Sequence, residues 1–331
     1  MTASPTLTLA WLFLAHLLAD FVIQSDRVAT DKFTTGRRAW RALAIHVAGV
    51  AICLVPVPLA FGPRGLAFLI VVVAAHAVID RTKIVWTRRV EAHAIARARR
   101  SHEIASPEEG LGSAWTAAPA ALFVADQLAH VGVIVLGWAL WLASTPLTSA
   151  WTTLAAAVSG GWDQAVVARV VLWVVVLADL GIVNIRAGAM FVATLVHPRE
   201  VVTGHSSAGE ASPRSTSEPS EPSGPDDPSG GHVVVAAAGL GHGAEAGPAS
   251  GHTRPSPVRI GAAIGILERL LIVTLVLSGA LAGIGFVVAA KTLARFKQLE
   301  DRPFAEYYLL GTLASVSVGL VSALVAQVAL A

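Results

Sequence analysis

Seven ionisable side chains stand in four otherwise apolar stretches: His16 and Asp20 in LAHLLAD, His46 in LAIHVAG, His76 and Asp80 in AAHAVID, and Asp126 and His130 in VADQLAH. Imidazole nitrogen together with carboxylate oxygen is a ligand set for zinc, iron or manganese. A dication held this way, with one coordination position open, lowers the pKa of a bound water and makes a hydroxide nucleophile. On this chemistry His16, His46, His76 and His130 are the expected ligands of a divalent metal such as zinc. Asp20, Asp80 and Asp126 are the expected catalytic carboxylates, each as ligand, as orienter of an imidazole or as general base.

The spacing narrows the choice. His16/Asp20, His76/Asp80 and Asp126/His130 are i,i+4 pairs, so the two members of each pair share one helix face. Two other uses fit the same spacing. Such pairs can cross-brace a helix bundle, at roughly 0.6 kcal/mol each, and chains of Asp and His also mark proton and ion pathways.

The elements that must carry these residues are membrane helices. The chain is 54% hydrophobic and 14% charged, with a mean hydropathy of +0.65, which places it outside the range of soluble globular domains. Seven apolar runs, near 7–25, 41–61, 65–82, 117–143, 165–186, 260–290 and 305–330, are long enough to cross roughly 30 Å of hydrocarbon. The expected fold is all-α, a polytopic transmembrane bundle. Cys53 is the single cysteine, so no intrachain disulfide forms.

Basic residues cluster after the first run (Arg27, Lys32, Arg37, Arg38, Arg41) and after the third (Arg81, Lys83, Arg88, Arg89). The positive-inside rule makes those loops cytoplasmic and the protein a multi-pass component of the inner membrane. With that alternation, all seven polar groups fall at a similar depth in the cytoplasmic half of the bilayer, a few turns from the span ends. The segment from Trp86 to His102 reads as a basic amphipathic helix on the inner leaflet.

The composition divides the chain into three parts. Residues 1–197 form a five-span bundle with the His/Asp site, and 258–331 form C-terminal membrane helices. Between them, 198–257 is a Ser/Pro/Gly-rich linker expected to be disordered and cytoplasmic, able to recruit a cytosolic protein. The run 260–290 reads either as one long span or, broken at Gly279, Gly283 and Gly285, as a hairpin.

Other polar residues suggest lesser roles. Asp179 is expected to pair with Arg186 or Asn184, and Glu268 with Arg269 or with the leaflet. Lys291, Arg295 and Lys297 read as interfacial anchors, and Thr312 and Ser315 as small packing residues. No phosphate-binding loop, dinucleotide fingerprint, nucleophile elbow or HExxH helix is present. Basic residues follow the membrane rather than a groove, so the expected partners are membrane lipids and not nucleic acid.

HLLADFVIQSDRVATDKF (16–33), His46, HAVID (76–80) and DQLAH (126–130) resemble a bacterial family of polytopic membrane proteins, domain of unknown function 3307. Segments 264–272, 283–296 and 304–315 resemble that family's C-terminal region, with the linker as an insertion between the two blocks. The resemblance implies an integral membrane protein with these polar residues as its signature, and no particular activity. The expected function is a metal-dependent hydrolase of lipid or lipid-linked substrate. The alternatives are an ion- or proton-coupled transporter using the same residues, or a membrane scaffold.

Overall fold

The computed structural model describes residues 4–105, 117–196 and 257–331, and these are helical with no strand among them. The expected linker, 198–257, lies outside the described residues but for Pro257. Helix α1 (Pro5–Leu17) starts where Ser4 Oγ accepts from the Leu7 amide and Pro5 pre-sets the first turn. It continues as a π-helical turn, Leu18–Ile23. The short α2 (Asp26–Asp31) is capped by Ser25. Then come α3 (Gly36–Leu54), α4 (Pro56–Ala105) and α5 (Ala118–Gly137), the last extended by a π-helical turn to Leu142. Helix α6 (Ser149–Ser159) ends at left-handed Gly160, and Asp163 caps α7 (Gln164–Ile182). A third π-helical turn, Val183–Ala187, joins α7 to α8 (Gly188–Val196). The C-terminal part is α9 (Pro257–Leu277), α10 (Ala282–Ala294) and α11 (Arg302–Leu330).

Among the described residues five helices are long and apolar enough to cross a membrane: Pro5–Ile23, Pro56–Ala94, Ala118–Leu142, Gln164–Val196 and Phe304–Leu330. Helix α3 begins with Arg37, Arg38 and Arg41, which lower its apolarity. The break between the runs 41–61 and 65–82 falls earlier, at Val55, because Pro56 opens α4; Gly62, with φ +63°, kinks that helix just before Pro63. The segment 86–102 is no separate surface helix. It continues α4, since no Gly or Pro interrupts residues 81–105.

The run 260–290 is a hairpin. Gly279, at φ +76°, makes the turn that an L side chain resists. Gly283 lets α10 close on Leu275, where a Cβ would come within 2.9 Å. Lys291 then reaches back to Glu268 at 2.6 Å. Helix α11 runs parallel to α9, as Arg269 meets Ser315 and Gln327 meets the Val276 carbonyl.

Two apolar cores hold the bundle. One joins α1, α3, α4 and α5 through Leu12, Val50, Phe68 and Ile134; the other joins α1, α7, α9 and α11 through Ala10, Val176, Ile272 and Ala323. Cross-links tie basic residues of α4 to the neighbouring segments at one end. Arg88 donates to the Phe33 and Thr34 carbonyls, Arg81 lies over the Trp40 ring, and Gly311 at the start of α11 meets Val196 at the end of α8.

Candidate metal centre

Each of the four helices brings its polar face to one point near the basic end. Asp20 lies in the first turn of the π-helical segment Leu18–Ile23 that continues α1. Asp20 Oδ1 lies 3.4 Å from His46 Nε2 on α3 and 3.4 Å from His76 Nε2 on α4. Those two nitrogens are 2.9 Å apart. Asp80 Oδ2, one turn after His76, lies 3.4 Å from His46 Nε2. Each of these four atoms, from three helices, thus lies within 3.4 Å of at least one other.

His130 and Asp126 on α5 stand beside them. The rings of His76 and His130 are 4.2 Å apart, and His16 stacks on His130 at 5.0 Å. His130 Nδ1 donates to the Asp126 carbonyl at 2.8 Å. Among the described residues three groupings have the reach to hold a cation, their ligand atoms lying within 4.8 Å of one another: His16, Asp20 and His76; His46, His76 and Asp80; and Asp80, Asp126 and His130. All seven residues singled out from the sequence therefore converge. His16 is placed differently from its fellows. Its Nε2 donates to Gln127 Oε1 at 3.3 Å, an orientation set because Gln127 gives its amide N–H to Asp126 Oδ2 at 3.1 Å.

Lys32 and Lys83 belong to the site as well. Both read from the sequence as cytoplasmic loop charges, yet Lys32 is 7% exposed, with Nζ 2.7 Å from both Asp80 Oδ2 and Gln24 Oε1. Lys83 Nζ is 2.7 Å from Asp126 Oδ2. The available signal was spacing: Lys83 follows Asp80 by three residues on one helix, and α2 is too short to carry Lys32 away from the bundle. Among the described residues no lysine or arginine pairs with Asp20. Three carboxylates against two ammoniums leave the cluster one negative charge. Asp20 Oδ1, Asp126 Oδ1 and His130 Nε2 are buried with no hydrogen-bond partner among the described residues.

The far side of the cluster is apolar. A cavity with room for about one water lies against His16, His76 and His130, closed by Leu12, Val50, Leu54 and Val72. Phe68, fully buried, packs in the layer beyond.

The remaining polar residues depart from expectation. Asp179 pairs with neither Arg186 nor Asn184; its Oδ1 has no partner among the described residues, and Arg186 is exposed. Asn184 turns to Leu180 and Ser322 instead. Glu268 pairs across the hairpin with Lys291, while Arg269, 2% exposed, donates to the Asn184 carbonyl and to Ser315 Oγ. The reason is tertiary: neighbours in sequence point to different faces of α9. Gly311 and Gly319 do give α11 its close contacts, with Val196 and Ile272.

Fold and cluster together define a class, an all-helical protein with several helices fit to cross a membrane and a buried His/Asp centre among the first four long ones. Residues 8–159 match the family described as a protein of unknown function (DUF3307). The matched range contains all seven polar residues; segments 264–272, 283–296 and 304–315 lie outside it. No curated protein and no solved structure matches the chain.

Proposed function

We propose that this is an integral membrane protein that binds a divalent transition metal, zinc foremost, between Asp20, His46, His76 and Asp80, and uses it to hydrolyse a lipid or lipid-linked substrate. One observation carries the reading. Tetrahedral coordination with bonds of about 2.0–2.1 Å sets ligand atoms roughly 3.3–3.4 Å apart. Asp20–His46, Asp20–His76 and His46–Asp80 are each separated by 3.4 Å, and His46–His76 by 2.9 Å. The cluster's surplus negative charge supports the same assignment, since a buried carboxylate without a cation is costly. When bound, such an ion supplies a hydroxide nucleophile at neutral pH. The chain's own residues hold the carboxylates: Lys32 fixes Asp80, and Lys83 with Gln127 fixes Asp126. His16 positions through Gln127.

The positive-inside rule assigns the basic end to the cytoplasm, so the centre sits at the level of the inner leaflet. An enzyme is favoured over a carrier by the apolar layer of Leu12, Val50, Leu54 and Phe68, which closes the side away from the basic end. The test is elemental analysis of the purified full-length protein beside a His46→Ala/His76→Ala variant. Stoichiometric zinc, iron or manganese lost in the variant is the expected result; a metal-free protein after reconstitution with each ion overturns the proposal.

A further inference from the structure

We infer that the cluster holds two metal ions, with Asp80 shared between them, and that its substrate is a phosphate ester in a lipid headgroup. This rests on the metal reading above. The first ion is the one bounded by Asp20, His46, His76 and Asp80. The second lies among Asp80, Asp126 and His130, whose ligand atoms fall within 4.8 Å of one another.

The observation that carries the second ion is independent of the first. A carbonyl oxygen has no proton to give, so His130 Nδ1, 2.8 Å from the Asp126 carbonyl, bears the hydrogen. In the tautomer with that single hydrogen the lone pair is on Nε2. That Nε2 has no partner among the described residues, and neither has Asp126 Oδ1, though the two residues are only 3% and 5% exposed. Two acceptors cannot satisfy each other, but a cation satisfies both. A histidine that ligates a metal commonly gives its other N–H to a carbonyl or carboxylate, as His130 does here. Asp126 is also locked. Lys83 and Gln127 hold its Oδ2, which leaves Oδ1 as the unpartnered oxygen. Asp80 has the capacity to bridge: a carboxylate offers about four lone-pair sites, and Lys32 takes one.

Charge selects the substrate. Metal-free, the cluster carries one surplus negative charge; two dications convert this to a positive surplus that anionic phosphate oxygens offset. Paired ions roughly 3.5–4 Å apart suit in-line displacement at phosphorus, one at the attacking oxygen and one at the leaving oxygen. The net reaction adds water across the ester. Its oxygen forms the new P–O bond as the ester P–O bond breaks, one proton goes to the departing alcohol and the other stays with the phosphate. Nothing is oxidised or reduced. Lys32 and Lys83 meet the carboxylates from the basic end, the level at which headgroups lie.

The experiment uses the full-length protein in detergent, stripped with a chelator and refilled with Mn²⁺. Elemental analysis is expected to give two ions per chain, with an exchange-coupled electron paramagnetic resonance signal. Asp126→Asn, which preserves shape, and His130→Ala should each give one ion and an uncoupled signal. One ion in the wild type, or two in either variant, overturns this inference and leaves the metal proposal standing; none overturns both. In the second arm, vesicles of phosphatidylglycerol and phosphatidic acid are compared with p-nitrophenyl phosphate. Turnover of vesicle lipid that falls at least tenfold in Asp126→Asn is expected. Turnover of the soluble ester alone, or of neither, overturns the lipid phosphate assignment.

Discussion

Lys32 is the residue whose surroundings most change its expected behaviour, and a double-mutant cycle with Asp80 measures that change. The two side chains are 9% and 6% exposed and 2.7 Å apart. At an effective dielectric of about 20, their gross attraction is roughly 6 kcal/mol. Much of this offsets desolvation, but deleting one partner strands the other, at about 3–5 kcal/mol. Asp80→Asn leaves the buried Lys32 ammonium with amide oxygens to accept from it but no counter-charge, and belongs at the upper end. Lys32→Met leaves Asp80 with the His46 imidazole still 3.4 Å away and belongs at the lower end. The double variant should cost at least about 2 kcal/mol less than the sum of the singles. The assay is equilibrium unfolding of the metal-free, detergent-solubilised protein. Additivity within about 0.5 kcal/mol, or single losses below about 1 kcal/mol as for a surface pair, would show that Lys32 faces solvent and would refute its place in the site.

Further outcomes follow from other contacts. Gln127→Leu removes the bridge between His16 and Asp126 and should weaken metal binding about 10–100-fold, measured by chelator competition; unchanged affinity would separate Gln127 from the centre. Gly188→Ala places a Cβ 3.0 Å from Val318, 3.1 Å from Arg269 Nε and 3.1 Å from the Val183 carbonyl. It should cost about 1–3 kcal/mol in thermal unfolding, and a neutral effect would contradict that packing. Outside the spans, the hydrogen bond from Arg38 and its charge hold the Asp31 carboxyl below its ordinary value. A depressed carboxyl stabilises the fold above its unfolded pKa of about 3.9 and loses that contribution as pH falls through the folded value. Arg38→Gln should therefore flatten part of the acid limb of the unfolding profile below about pH 4; an identical limb would argue against the pair.

The sequence by itself determined the helices and the faces of the site. Long apolar runs and i,i+4 spacing are properties of single segments, so His16/Asp20, His76/Asp80 and Asp126/His130 were legible as paired faces before any packing was known. Alternating basic loops placed those faces at one depth, and their convergence follows from antiparallel neighbours. Tertiary structure alone decided what each polar atom meets. A lysine three residues after Asp80 reads the same whether it enters solvent or a buried carboxylate, and only the packing of α4 on α5 sends Lys83 to Asp126. The hairpin at Gly279 was an open choice because closure depends on Leu275 fitting against Gly283, a contact outside either helix's own periodicity. Arg269 finds Asn184 and Ser315 rather than adjacent Glu268 for the same reason. The free atoms of Asp126 and His130 arise this way too: their neighbours' hydrogen bonds, set between helices, determine which lone pairs remain for an ion.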